Sequence, residues 1–169
     1  VDIAVWALEL IRSSLGKVTI DPITVDHPVP MVDGMPSRDD QFNAAVTFNV
    51  KLTLDDGVEL RITDDAKDLG FENGIMFEGD AGRFLVNRGK LAGKPVEELK
   101  TNPLPADYLQ ELYGGDPPTG HVANFFECVT SRKTPIADMA SHHRAISICH
   151  AVNIAMRLGR KLTYDTATE

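Results

Sequence analysis

The stretch Ala45–Thr63, with the sequence AVTFNVKLTLDDGVELRIT, decides the fold of this chain. Apolar and polar residues alternate on both sides of Asp55-Asp56-Gly57. Because strand side chains switch faces at every residue, this pattern predicts a hairpin with one apolar and one polar face. A glycine at the end of a three-residue loop accepts the left-handed conformation that such a turn needs. The predicted register pairs Leu54 with Val58, Leu52 with Leu60 and Val50 with Ile62.

The polar face of this hairpin is free to meet water, a ligand or a partner, because an antiparallel sheet is commonly covered on one face only. We expect the chain to form a homo-oligomer through this open face. The side chains that would take part are Thr47, Asn49, Lys51, Glu59, Arg61 and Thr63.

Other strand patterns flank the hairpin. Pro22 splits residues 18–25 into two short strand pieces, and the Pro- and Asp-rich residues 27–43 predict a long loop. Residues 74–86 predict a second hairpin with its turn at 79–82, in which Phe77 pairs with Phe84. Residues 87–94 predict a connector, and 162–164 predict a last edge strand.

Helical patterns occupy the two ends of the chain. Residues 1–10 predict a helix with Trp6 as a core anchor, and 95–113 predict a short helix or two. Near the C-terminus, one amphipathic helix surrounds Phe125, and a longer one runs from an Asp138 cap to Gly159. The sequence therefore predicts an α+β fold, an open, mostly antiparallel sheet with the C-terminal helices packed on one face.

Length and charge limit the function classes. The 169 residues amount to about one domain, and we expect a single domain over 1–169. A net charge of −8 argues against binding of nucleic acid or of anionic membranes. Apolar runs are too short to span a bilayer. Cys128 and Cys149 are predicted to be buried free thiols, and we predict no metal site.

Three residues stand out as candidates for a substrate-binding site, and no residue of this chain is assigned a catalytic role. Asp2 lies in the first turn of an apolar helix, where a carboxylate either balances the helix dipole or points into a site. His142 and His143 are adjacent on a helix and therefore point about 100° apart, too far for a tight chelate. One of them reaches a ligand, or one is a surface side chain and the other is packed.

Four stretches resemble the C-terminal domain of the Gfo/Idh/MocA oxidoreductases, the family of glucose–fructose oxidoreductase and inositol dehydrogenase. The resemblance covers nearly the whole chain, and its second and third stretches are the more specific. The stretches are VDIAVWAL at 1–8, GIMFEGDAGRFLVNRGKL at 74–91, NFFECVTSRKTPIADMASHHRA at 124–145 and NIAMRLGRKLTYD at 153–165.

The resemblance implies the substrate-binding and oligomerisation domain of a two-domain enzyme that acts on a sugar, polyol or related carbohydrate. NAD or NADP would bind to an N-terminal Rossmann domain outside this chain, and we expect this fragment to bind neither and to be inactive alone. Asp2 matches the aspartate of the family's H-x-x-D motif, whose histidine would lie three positions earlier. His142 and His143 fit the pattern of one branch, without a catalytic role.

A second interpretation is a non-catalytic ligand-binding or assembly module that has kept the fold and lost the chemistry. A histidine, a G-x-G-x-x-G and an E-K-P upstream of Val1 would favour the enzyme, and their loss would favour the module. The helix pattern begins without a cap at Val1, and we expect the chain to be part of a longer protein. The cytoplasm is the expected compartment, with an export signal upstream of Val1 left open.

Overall fold

The computed structural model describes residues 1–9, 15–70 and 73–168. The protein has an α+β fold with antiparallel open sheets, as predicted. Two compact units lie within the single domain that the sequence predicts. The first contains residues 1–70 and 139–169, and the second contains residues 71–138.

The first unit is built on a four-stranded sheet with the order β5-β4-β1-β9. Its strands are β1 (Lys17–Asp26), β4 (Thr47–Leu54), β5 (Glu59–Thr63) and β9 (Leu162–Asp165). The predicted register is confirmed, since Val50 pairs with Ile62 and Leu52 with Leu60. The amide of Leu54 donates to the Val58 carbonyl at 2.9 Å, which closes the turn. β9 is an edge strand, as predicted, and pairs with β1.

Two helices cover the apolar face of this sheet, α1 (Asp2–Glu9) and α5 (Met139–Leu158). Val5 of α1 and Ile148 and Val152 of α5 pack against the strand side chains. Ile20, Val50 and Leu52 form the centre of this core and are almost completely buried. The sequence predicts both C-terminal helices as the cover, whereas the structure uses α5 together with α1.

The orientation of α1 corrects the prediction for Trp6. The sequence predicts Trp6 as a core anchor, yet Trp6 is 41% exposed, and the buried face carries Ala4 and Val5. Six consecutive residues, 3–8, are apolar, so the pattern surrounds the helix and leaves its buried face undetermined. Leu10, placed in the same helix by the sequence, lies outside the described residues.

β1 is one strand and not the two pieces that the sequence predicts. Its register against β4 shifts between Pro22 and Thr24, so Ile23 is an extra residue in a β-bulge. Proline lacks a backbone N–H and is tolerated in sheets at such irregularities. The 27–43 segment also contains structure that the sequence does not predict, a short hairpin of β2 (Met31–Val32) and β3 (Met35–Pro36).

The second unit has a three-stranded sheet, β6 (Ile75–Gly79), β7 (Gly82–Asn87) and β8 (Lys90–Gly93). Phe77 and Phe84 pair as predicted, and their rings stack at 5.0 Å. Gly79 pairs with Gly82, so the loop contains two residues, Asp80 and Ala81, and not four. β8 occupies the segment predicted to be a connector.

Three helices complete the second unit, α2 (Lys94–Glu98), α3 (Tyr108–Tyr113) and α4 (His121–Ser131). α2 and α3 confirm the two short helices, and α4 confirms the helix around Phe125. None of these helices carries a buried residue. The apolar stripe of α4 is exposed, and the partly buried side chains belong to Asn124 and Cys128. This exposure differs from the usual orientation of an amphipathic helix.

We expect the Gly93→Ala substitution to destabilise the second unit by about 1–3 kcal/mol. Gly93 has a φ of 137°, and a Cβ there would lie 2.7 Å from the Cα of Phe84. A Cβ at Gly89 would have no atom within 4 Å, so Gly89→Ala is the matched control. Urea unfolding followed by circular dichroism checks the difference. Equal urea midpoints for Gly93→Ala and Gly89→Ala would contradict this prediction, since they would show that β7 and β8 can separate enough at Gly93 to accept a Cβ.

Candidate functional site

Asp2 lies in the first turn of α1, the first element of the first unit. The helix begins there with the amide of Val5 donating to the Val1 carbonyl at 2.9 Å. Ala4 and Val5 are buried against the sheet, which fixes the rotation of the helix about its axis. Asp2 is consequently on the exposed side, where its carboxylate can meet a ligand.

His142 and His143 lie in the first two turns of α5. Ala145 and Ile148 anchor this part of the helix in the core, so the two imidazoles project from its exposed side. The Ser141 hydroxyl oxygen lies 3.5 Å from Nδ1 of His142. Neither histidine is the packed residue that one interpretation of the sequence predicts, because both are exposed.

A cavity of about 670 Å³ brings the three predicted residues together. All of its walls belong to the first unit. We name it the α1–α5 cavity, and it is lined by Val1, Asp2, Met139, His142, His143, Ala145, Ile146 and Cys149. Its walls thus come from two segments that are far apart in the sequence, 1–2 and 139–149. The structure places the aspartate and both histidines at one cavity, and their part in binding a substrate stays a prediction.

The chemistry available in this cavity is that of one carboxylate and two imidazoles among apolar groups. A carboxylate accepts hydrogen bonds, whereas a neutral imidazole donates one and accepts one. Such groups can hold a hydroxyl and receive its proton. The remaining walls offer hydrocarbon and the Cys149 thiol.

The prediction for the two cysteines is confirmed in part. Cys128 and Cys149 are both free, as predicted, but each is only partly buried. Cys149 contributes to the α1–α5 cavity, a position that the sequence does not predict. Its position three and seven residues after Ile146 and His142 is the signal that could have placed it there, since both spacings return to one helix face.

The other histidines lie elsewhere. Nδ1 of His27 is 3.3 Å from the Asn43 carbonyl oxygen, and its Nε2 is buried without a hydrogen-bond partner. His121 is the first residue of α4. His150 is exposed on α5 and does not line the α1–α5 cavity. In the described part of the chain, no group of three His, Cys, Asp or Glu side chains is placed to hold a metal ion.

A second cavity, of about 930 Å³, lies wholly within the second unit. It is bounded by the loop 113–119, by one side of α4 and by residues 130–136. Asn124 connects two of these walls, because its Oδ1 accepts a hydrogen bond of 2.9 Å from the Ile136 amide. No feature of the sequence predicts this cavity, and the Gly-Gly-Asp-Pro-Pro run at 114–118 indicates only a loop.

Among residues 1–9, 15–70 and 73–168, no helix combines the length and apolar character that are needed to cross a bilayer. Comparison with protein-family models, with characterised proteins and with solved structures finds no match to this chain.

Proposed function

We propose that this chain is the substrate-binding and oligomerisation domain of an NAD(P)-dependent oxidoreductase of the Gfo/Idh/MocA kind, acting on a sugar, polyol or related carbohydrate. One observation carries the proposal. Asp2 and the pair His142 and His143 line the same cavity although about 140 residues separate them in the sequence. A few polar groups that converge in a largely apolar cavity are the usual mark of a small-molecule site.

The role assigned to this cavity is the binding and orientation of a substrate hydroxyl. Oxidation of an alcohol requires a group that accepts the hydroxyl proton, and a carboxylate or a neutral imidazole can do so within hydrogen-bond reach. Asp2 supplies the carboxylate, and His142 and His143 supply the imidazoles. Held by these groups, the carbon that bears the hydroxyl is fixed relative to α1 and α5.

The described residues do not form a dinucleotide cradle. Such a cradle needs a glycine-rich turn between a strand and a helix N-terminus. The closely spaced Gly79 and Gly82 instead pair with each other across an antiparallel hairpin. The cofactor site therefore belongs, in this proposal, to the N-terminal Rossmann domain that the resemblance implies.

Turnover by the full-length protein tests the proposed function. We expect NAD+ or NADP+ to be reduced with at least one member of a panel of sugars and polyols, and His143→Gln to lower kcat/KM by about fivefold to tenfold, the effect of one hydrogen bond. His150→Gln, on the same helix but outside the cavity, is the matched control. The 169-residue chain alone should bind neither cofactor by calorimetry.

The outcomes distinguish the domain of an active enzyme from a non-catalytic ligand-binding or assembly module. Micromolar binding of NAD(H) or NADP(H) to the 169-residue chain would contradict the assignment of the cofactor to another domain. Ligand binding without turnover in the full-length protein would favour the non-catalytic module. Equal losses in His143→Gln and His150→Gln would remove the α1–α5 cavity from the mechanism.

The polar face of the four-stranded sheet supports the proposed homo-oligomer. Thr163, Thr19, Thr53 and Glu59 form one row across all four strands. Within the same face, Lys51 pairs with Glu59 at 3.0 Å and Lys161 with Asp21 at 2.8 Å. The charges on this face are paired and the threonine side chains are short, so none of these groups prevents close contact. The same face of a second copy can therefore pack against it in a dimer with two-fold symmetry.

We expect the chain to sediment as a dimer and Thr53→Arg to shift it toward the monomer. The substitution puts a long, charged side chain in the middle of the proposed interface, and like charges would then face each other across the two-fold axis. Thr101→Arg, at an exposed position in the second unit, is the control. Sedimentation velocity over a dilution series measures the shift. A monomer at every concentration, or a dimer unaffected by Thr53→Arg, would exclude this face.

A further inference from the structure

The apolar face of helix α4 is open to water. It consists of Val122, Phe125, Phe126 and Val129, which we call the α4 stripe, and all four side chains are exposed. Residues three and four positions apart share a helix face, so the four side chains form one continuous surface. The two rings alone expose about 200–250 Å² if each phenylalanine offers roughly 200 Å². Exposed apolar patches of about 300–600 Å² are often interaction sites, and the two valines bring the stripe into this range.

The α4 stripe has the same residue order in both directions. It runs valine, phenylalanine, phenylalanine, valine, and its centre lies between Phe125 and Phe126. A two-fold axis through this centre, perpendicular to the helix, would put Phe125 against Phe126 of a second copy and Val122 against Val129. Large rings then meet in the middle of the contact and smaller side chains surround them, which is the usual arrangement in protein interfaces. The centre of the stripe is also close to the middle of α4, so the two helices would overlap along most of their length.

The charges around α4 favour an antiparallel pair. Asp116 precedes the helix, whereas Arg132 and Lys133 follow it. Antiparallel copies bring the basic end of each helix toward the acidic end of the other and oppose the helix dipoles, whereas parallel copies bring like charges together. Glu127 lies about 150° around the helix from the middle of the stripe at 100° per residue. The contact therefore buries no carboxylate.

From the exposed stripe, its symmetric residue order and the charges at its two ends, we infer that α4 pairs with α4 of a second copy in an antiparallel, two-fold contact. This surface belongs to the second unit, whereas the polar face of the four-stranded sheet belongs to the first, so the inference goes beyond the proposed function and does not rest on it. Four side chains per copy make a small interface compared with the roughly 800 Å² that each partner buries in a standard one. We therefore expect a weak contact that adds to the sheet-face dimer at high protein concentration.

Sedimentation velocity of the Thr53→Arg chain tests the inference, because that substitution blocks the sheet face. We expect this chain to dimerise again at concentrations on the order of 100 µM, as a small interface does. Adding Phe125→Asp should raise the dissociation constant at least about tenfold, because the two-fold axis repeats both the lost ring and the new carboxylate. Phe42→Asp is the control, since Phe42 is 67% exposed against 57% for Phe125 and lies in the first unit. Circular dichroism verifies that both variants fold.

A disulfide experiment tests the direction of the pair. Val122→Cys and Val129→Cys are introduced together into a chain in which Cys128→Ser and Cys149→Ser remove the native thiols. The two new cysteines are seven residues apart, about 10 Å along one helix. A disulfide joins Cα atoms less than about 7 Å apart, so these cysteines can pair only between copies. We expect a covalent dimer on mild oxidation when both cysteines are present and little of it with either one alone.

The outcomes either support or overturn the inference. A tenfold loss that is specific to Phe125→Asp, together with a covalent dimer from the two cysteines, supports it. A monomer at every concentration of the Thr53→Arg chain overturns it, and so do equal effects of Phe125→Asp and Phe42→Asp. Cross-linking by Val122→Cys alone would show parallel helices and also overturn it. If the 169-residue chain cross-links and the full-length protein does not, another domain covers the stripe and the inference is overturned.

Discussion

The Ile20→Ala variant is expected to lose about 2–5 kcal/mol of unfolding free energy, the usual cost of truncating a buried aliphatic side chain. Ile20 is 0% exposed and lies in β1 between its partners Leu52 and Leu162. Ile148 and Val152 of helix α5 pack in the same core cluster as the Ile20 side chain. The cavity left by three missing carbon atoms cannot collapse easily, because strands on both sides hold the backbone of β1 in place.

The same strand provides the control. Ile23 is 56% exposed at the β-bulge, so Ile23→Ala removes the same atoms from a position that faces solvent. Its expected cost is below about 0.5 kcal/mol. Urea unfolding measures both values through the fluorescence of Trp6, which is the single tryptophan and belongs to the first unit. Similar losses for the two variants would contradict the assignment of Ile20 to the core.

The sequence predicts the first unit well where a strand has one buried face. Alternation then reports the face directly, and a slip of one residue would expose the whole apolar set. For this reason the register of Val50 with Ile62 and of Leu52 with Leu60 was predictable. The face of α1 was not, since apolar residues surround it and the choice between Trp6 and Val5 depends on the sheet beneath.

The second unit was harder to predict because it buries little. Leu85 is the one buried apolar residue among the described residues of 71–138. Without a deep core, β8 gives only a weak alternation, and its four residues Lys90–Gly93 look like a connector. The stripe of α4 is strongly periodic, but periodicity indicates a helix without identifying what contacts the stripe.

The polar residues of the candidate site were predictable from the sequence, but their convergence in one cavity was not. Asp2 stood out as a carboxylate in an apolar helix, and His142 and His143 stood out as an adjacent imidazole pair on a helix. Their convergence depends on α1 and α5 packing side by side over one sheet, which no local pattern encodes. The same packing brings Cys149 and Ile146 into the cavity, so the apolar walls were missed although the polar groups were found.

The Asp2→Asn substitution in the full-length protein is expected to lower kcat/KM by about 10- to 1000-fold, the range for one charged hydrogen bond in a transition state. Asparagine keeps the size of the side chain and removes its charge. Asp2 lies in the first turn of α1 and lines the α1–α5 cavity. Residues three apart on a helix share a face, so the histidine that the resemblance puts three positions earlier would lie beside this carboxylate.

A carboxylate in that position orients the histidine and raises its affinity for the hydroxyl proton. Because Asp2 is exposed and its neighbours Ala4 and Val5 carry the packing of α1, folding should be unaffected by the substitution. Asp107→Asn, at an exposed position before α3, is the control. The decisive comparison is kcat/KM for the three proteins at equal unfolding midpoints. If Asp2→Asn turns over at the rate of Asp107→Asn, Asp2 acts only on the helix dipole, and the carboxylate has no part in proton transfer.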